Sequence, residues 1–302
     1  MKSPEEWPDD VVYLVGGLYG NPFALDEIEA MAAGERAAGR SVRILFNGDF
    51  NWFNADDELF TAINCRILKY DAMLGNVEYE LATPSPEAGC GCAYPEFVEE
   101  AVVERSNRIM GQLQKVAGRH GGVQGQLRQL PRWRSLILGG LKVLVLHGDP
   151  ESLAGWGLSR ESLLASGNRQ LADWFRRTGA DVIASTHTCL PVTWSGEVDG
   201  QRRLFMNNGS AGMGNLQDDG RGLITRLSAH PSLQTPVVEH QLGSMKLSLE
   251  SVTFDLAGWL ELFDRLWPPG SDAELSYRQR IISGTGLVAG DLRQSPCGTL
   301  GT

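Results

Sequence analysis

Four short stretches carry most of the groups in this chain that can do chemistry. They are Asn47-Gly48-Asp49, Gly75-Asn76, His147-Gly148 and Ser185-Thr186-His187-Thr188-Cys189. Together they offer a carboxylate, an amide, two imidazoles and a thiol, residue types that serve as metal ligands and acid–base groups. Each stretch alone says little, since a Gly-Asp after a strand is common and a single histidine at a strand end is usually structural. What is informative is that they occur in order, each at the end of a segment that reads as a strand. His120, His230 and His240 fall outside this series and read as surface or packing residues.

The elements that must position these groups alternate. Val11–Gly16 is an apolar strand ending in glycines. Asn21-Pro22 then opens a helix over 23–38, with Asn21 as cap and Pro22 at its first position. A strand at Val42–Phe46, a helix over 56–68 and a strand at 70–74 follow. Strand-helix-strand-helix-strand predicts parallel pairing with right-handed crossovers, which puts functional groups at the carboxyl ends of the strands. Residues 80–94 read as a Pro-, Gly- and Cys-rich loop. The segment 96–116 has helical spacing at Phe97, Val102, Val103, Ile109 and Leu113.

Gly139-Gly140 predicts a hairpin between strands 133–138 and 141–146. Ser159 caps a helix running to about Thr178. Strands follow near 181–185, 192–195 and 203–207, with three more near 222–227, 235–241 and 246–254. Segments 254–267 and 272–283 read as helices, and the Gly-rich stretch from Gly284 as a fraying tail. The sum is a mixed two-sheet α/β body. Residues 1–254 form one domain with a helical insertion at about 80–130, and residues 255–302 add a C-terminal helical extension and flexible tail.

Taken in order, these stretches resemble the metal-binding blocks of the calcineurin-like metallophosphoesterases, D-x-H, GD, GNH, H-G and GHTH, as found in the small bacterial phosphodiesterase-type branch. The resemblance covers about Val11 to Gly212 and implies a two-sheet α-β-β-α sandwich. In that family the GD aspartate bridges two cations. By resemblance Asp49 is that aspartate, Asn76 the Asn of GNH, His147 the His of H-G and His187 the first His of GHTH. Gly17 and Tyr19 stand where the Asp and His of D-x-H belong, Val77 replaces the GNH histidine, and Cys189 replaces the last His of GHTH. Asn207-Asn208-Gly209-Ser210 resembles the Asn-Pro-Gly-Ser stretch of the smaller bacterial members.

The losses are sorted. Every ligand of the first ion except the shared Asp49 is gone, whereas Asp49, Asn76, His147 and His187 remain as a mixed N/O set for one divalent ion (manganese, zinc or iron). One ion can polarise a phosphoryl oxygen but cannot clamp both the attacking and the leaving oxygen. Val77 offers no proton to a leaving group, a contribution typically worth about 10²–10⁴-fold. The expectation is a weak or specialised phosphoesterase, with Asp49 and Tyr19 at the reacting centre and Asn21 and Tyr19 near the phosphate of a small phosphorylated substrate. A catalytically inactive binding or scaffold module on the same fold is the alternative, and hydrolysis of a different bond a third reading.

Tyr19 has two readings: its hydroxyl donates to a phosphate oxygen, or its ring fills the space of the absent ion. Asn21-Pro22 is either an anion site at a helix start or an ordinary cap. Cys90-Gly91-Cys92 and Cys189 either supply thiolates to a softer ion beside Asp49 or are inert buried thiols. Arg105 and Arg108 either reach a phosphate or form a solvated basic face.

Bulk properties bound these readings. A formal charge of −10 over 302 residues argues against a nucleic-acid partner, which needs a basic surface. The most apolar stretch, Leu136 to Leu146, is short and contains Lys142, so no membrane span is expected. Five cysteines, an odd number, and an N-terminus with no apolar run point to free thiols and a cytoplasmic location.

Overall fold

A computed structural model describes residues 3–85, 89–96, 98–165 and 169–294. In chain order the strands are β1 (Glu5–Glu6), β2 (Val11–Val15), β3 (Val42–Phe46), β4 (Asp71–Ala72), β5 (Trp133–Leu138), β6 (Leu141–Leu146), β7 (Val182–Ser185), β8 (Val192–Val198), β9 (Gln201–Asn207), β10 (Gly222–Ser228), β11 (Val238–Leu242), β12 (Met245–Val252) and β13 (Arg293–Gln294). The helices are α1 (Pro22–Ala37), α2 (Asp57–Ile67), α3 (Asn76–Ala82), α4 (Glu100–Ala117), α5 (Gly121–Leu127), α6 (Arg160–Ala165), α7 (Arg169–Thr178), α8 (Leu256–Leu266) and α9 (Asp272–Ser283).

The described strands form two mixed sheets, ordered β1-β5-β6-β7-β9-β8-β13 and β11-β12-β10-β2-β3-β4. Side-chain alternation explains how they stack. On β2, Val12 and Leu14 join Leu45, Val143, Val145, Val182 and Ala184 between the sheets, while Val11, Tyr13 and Val15 face α1, α2 and α4. On the other sheet Leu144, Ile183 and Phe205 turn outward onto Leu171, Trp174 and Phe175 of α7. The result is the four-layer α-β-β-α sandwich. Central strands buried on both faces explain why β2 reads as an unbroken apolar run.

β2, β3 and β4 run parallel, as do β6, β7 and β9. The carboxyl ends of both sets carry the candidate groups. Gly17 and Tyr19 follow β2, Asp49 follows β3, Asn76 follows β4, His147 follows β6, and His187 follows β7.

Several elements differ from the sequence reading. The 80–94 segment is not all loop, because α3 occupies its start, with the Glu78 side chain accepting from the Gly75 N–H at the helix N-terminus. The inserted helix begins at Glu100 rather than 96, and Phe97 lies outside the described residues. The helix expected from Ser159 to about Thr178 is helical at Arg160–Ala165 and Arg169–Thr178, with Ser159 Oγ accepting the Ser162 N–H, and residues 166–168 lie outside the described set.

The segment after Gly284 does not fray as far as Gln294. Thr285 Oγ1 donates to the Asn215 carbonyl, the Gln217 N–H donates to the Leu287 carbonyl, Leu292 is buried, and β13 pairs with β8. Backbone pairing and one buried leucine hold a stretch whose composition alone shows no periodicity; the expected tail beyond it, 295–302, lies outside the described residues. α8 and α9 contribute Trp259, Phe263, Trp267, Ala273 and Ile281 to the same core as α1 and β2.

Candidate metal centre

The four retained groups converge. His147 Nε2 lies 3.1 Å from Asn76 Oδ1, 3.3 Å from Asp49 Oδ2 and 3.2 Å from His187 Nδ1. Asp49, His147 and His187, all buried, form a group that can hold a metal ion. Ligand atoms 2.0–2.1 Å from a tetrahedral zinc stand roughly 3.3 Å from one another, so these spacings suit one shared ion.

The hydrogen bonds on the far side of each ligand decide which atom faces inward. The Nδ1–H of His147 donates to the Asn47 carbonyl (2.9 Å), and the Nε2–H of His187 donates to the Cys92 carbonyl (3.1 Å). The amide nitrogen of Asn76 donates to the Cys90 carbonyl (3.1 Å). With those hydrogens committed outward, the lone pairs of two imidazoles, an amide oxygen and a carboxylate face one another. That arrangement is repulsive without a positive charge at its centre, and outer-shell carbonyls that fix histidine tautomers are typical of metal sites.

The ionisation of the group follows from the same contacts. Burial raises the Asp49 carboxyl, but the imidazoles of His147 and His187 and the Val77 N–H outweigh it and hold the pKa below 3.8. Burial lowers His147, yet the Asp49 carboxylate and the Asn47 carbonyl lift it above 6.5. Burial and then His147 push His187 down to about 4.

Glu78 supports the Asp49 loop and is not evident from the motifs. Completely buried, its carboxylate accepts the N–H groups of Asp49 (2.6 Å), Phe50 (3.0 Å), Asn51 (3.1 Å) and Gly75 (3.1 Å). Asn51 adds its side-chain amide and links on to Asn54 and Asn64. Burial, then the Asp49 charge, raises Glu78 to about 7, while the Asp49 and Gly75 N–H groups pull it down. Gly48, at φ +83°, is needed where it stands: a Cβ there would lie 2.4 Å from Gly75 N and 2.7 Å from His147 Nδ1.

On the other side of Asp49 stand two neutral side chains, Tyr19 and Cys189. The Tyr19 ring folds back over Gly17, whose added Cβ would lie 2.9 Å from the ring's Cζ. The Tyr19 hydroxyl contacts Cys189 Sγ at 2.6 Å. Burial drives both the phenol and the thiol upward, so both stay protonated at neutral pH. Asp49 Oδ1, the oxygen not facing His147, accepts the Val77 N–H (3.2 Å). Tyr19, Asp49 and Cys189 share left-handed φ values of 54°, 54° and 59°, strained for non-glycine residues.

The loop of Cys90 and Cys92 does fold over the site, but through its carbonyls. The turn at Gly91, φ +67°, brings the two sulfurs together. Cys65 and Cys189 are free thiols, and Cys297 lies outside the described residues.

A cleft of about 190 Å³ opens onto Asp49, Asn76, His187 and Cys189. Aromatic rings dominate its walls: Tyr19, Trp52, Tyr94, Trp156 and Tyr277, with Arg280 and Val77 alongside. Trp156 stands edge-on to His187 at 5.5 Å and its indole N–H also donates to the Cys92 carbonyl (2.9 Å). Tyr19 apart, no motif signals these walls, since Trp156 and Tyr277 come from distant parts of the chain.

Asn21 is not in the cleft lining. It is fully buried, its Oδ1 caps α1 through the N–H groups of Phe23 and Ala24, and its amide donates to the Gly212 carbonyl. Arg105 and Arg108 bind Ser276 and Asp272 of α9. Asn207, from the Asn-Asn-Gly-Ser stretch, holds Thr188 (3.0 Å) and so steadies the turn after His187.

No protein-family profile matches the chain. No curated protein matches it in sequence. Solved structures do match in shape. A hypothetical protein from Pyrococcus horikoshii OT3 has a TM-score of 0.63 at 13% identity, over 92% of this chain and 99% of that one. A metallophosphoesterase from Sphaerobacter thermophilus has a TM-score of 0.57 at 16% identity, over 91% and 99%. The chain therefore has the metallophosphoesterase fold.

Proposed function

We propose that this protein is a metal-dependent phosphoesterase that hydrolyses a small phosphoester or phosphodiester at a single ion held by Asp49, Asn76, His147 and His187. The observation that carries the reading is the inward convergence of four lone-pair donors, each pinned from behind by a backbone carbonyl or N–H. The mixed N/O set suits manganese, zinc or iron. When bound, such an ion supplies a Lewis acid for a phosphoryl oxygen and lowers the pKa of water.

The protein's own residues then set what reacts. Glu78 fixes the Asp49 loop, so the carboxylate is held in place before substrate arrives. The neutral Tyr19 hydroxyl is the donor available to a phosphate oxygen on the vacated side. Val77 supplies no proton, so esters with good leaving groups are favoured. The aromatic walls favour an ester whose organic group is planar and apolar. The acidic chain disfavours nucleic acid as substrate, and no described helix is long and apolar enough to cross a membrane.

Val77, buried at the cleft where a proton donor would stand, favours a second reading: an inactive module that keeps the fold for binding. The two separate in one experiment. Metal content is measured on wild type and Asp49→Ala, with turnover of bis(4-nitrophenyl) phosphate in added manganese. Bound metal and turnover, both lost in the variant, are expected; metal without turnover supports the binding module, and no metal in wild type overturns both the ion site and the catalysis.

A further inference from the structure

We propose that Arg280 binds the phosphoryl group, its guanidinium offsetting the negative charge that a first cation would otherwise neutralise; the assignment rests on the phosphoesterase reading above. Arg280 lies in the last turn of α9, far in sequence from every motif, yet it lines the cleft beside Asp49 and Cys189. It donates through Nη2 to the Cys189 carbonyl and through Nε to the Gly214 carbonyl (3.2 Å). Position 189 is where the missing ligand would stand, so the cation sits at the vacated half of the site.

Among the described residues Arg280 has no carboxylate partner, and its Nη1 makes no hydrogen bond. Arg278, two positions earlier, is paired with Asp264 at 2.7 Å. In an acidic chain, an unpaired guanidinium in a cleft beside candidate metal ligands is available to an anion. A divalent ion on Asp49 leaves one net positive charge, and Arg280 adds a second, which matches a phosphate dianion. The guanidinium fork also suits phosphate oxygens. α9 holds it rigidly, through Asp272 on Arg108 (2.7 Å) and Tyr277 against Phe53 at 5.2 Å.

The test is binding of inorganic phosphate by calorimetry to wild type, Arg280→Gln and Arg280→Lys, with and without manganese, alongside metal content. Phosphate affinity is expected to fall roughly ten- to a hundredfold in Arg280→Gln, with metal content unchanged and much of the affinity kept in Arg280→Lys. The clamp on the two carbonyls uses two separate guanidinium nitrogens, a spacing that the single ammonium nitrogen of lysine does not reproduce, so a merely structural role predicts equal loss in both variants, and that result overturns the proposal. Equal phosphate affinity in wild type and Arg280→Gln, with metal retained, also overturns it and leaves the metal reading intact. Phosphate bound without metal and lost in Arg280→Gln keeps the arginine while removing the ion. If Arg280→Gln does not fold, Arg280→Lys decides by whether it retains phosphate.

Discussion

At the residue scale, position and function are supplied by different side chains. Asp49, Asn76, His147 and His187 provide the donor atoms, but Glu78 determines where the Asp49 loop sits. Glu78→Gln exchanges one accepting oxygen for an amide that cannot accept. The variant is expected to lose about 3 kcal/mol in urea unfolding and roughly 10–100-fold in metal affinity by competition with a chelator. Wild-type metal affinity in that variant would mean the loop is held without it. The four ligands were legible because they recur in a fixed order at strand ends. Glu78 had only a faint signature, an acid three residues into a helix after Gly75, which elsewhere means no more than a capped terminus. Arg280 and the aromatic walls had none, since tertiary packing alone brings them to the cleft.

At the element scale, legibility followed burial. β2 was plain because a strand covered on both faces becomes an apolar run. α3 and α5 were missed because each is short, and α5 carries three glycines in seven residues. β13 was missed because two residues cannot show a period. α8 was legible by its spacing, and its role is structural: Trp259 is fully buried, packed on Phe53 (6.3 Å) and Phe263 (5.9 Å). Phe53 lies on the loop after Asp49, so α8 also backs the site. Trp259→Ala is expected to cost about 3–5 kcal/mol in chemical denaturation. A change below about 1 kcal/mol would mean this helix is not part of the cooperative core.

At the scale of the whole molecule, two sheets deliver the candidate ligands to one seam, so an ion held there would be linked to folding. Asp49 and Asn76 come from one sheet, His147 and His187 from the other. An ion at 100 times its dissociation constant is expected to add about 2.7 kcal/mol of stability, read as a melting shift reversed by chelator. The shift depends on pH with a defined sign. The folded pKa of His147 is raised above 6.5 and that of Glu78 to about 7, so in metal-free protein both contributions are lost as pH rises through those values. His187, depressed to about 4, acts on the acid side, where stability falls as pH drops from 6.5. Metal replaces the proton on His147, so its stabilisation should grow between about pH 6 and 8. A metal shift that shrinks over that range would remove His147 from the ligand set.

The ring of Tyr19 lying over Gly17 sets what position 17 can carry. An aspartate at 17 and a tyrosine at 19 compete for the same volume, since even one carbon added at 17 would press on the phenol. A carboxylate placed at 17 therefore has room only where the ring at 19 has first been removed.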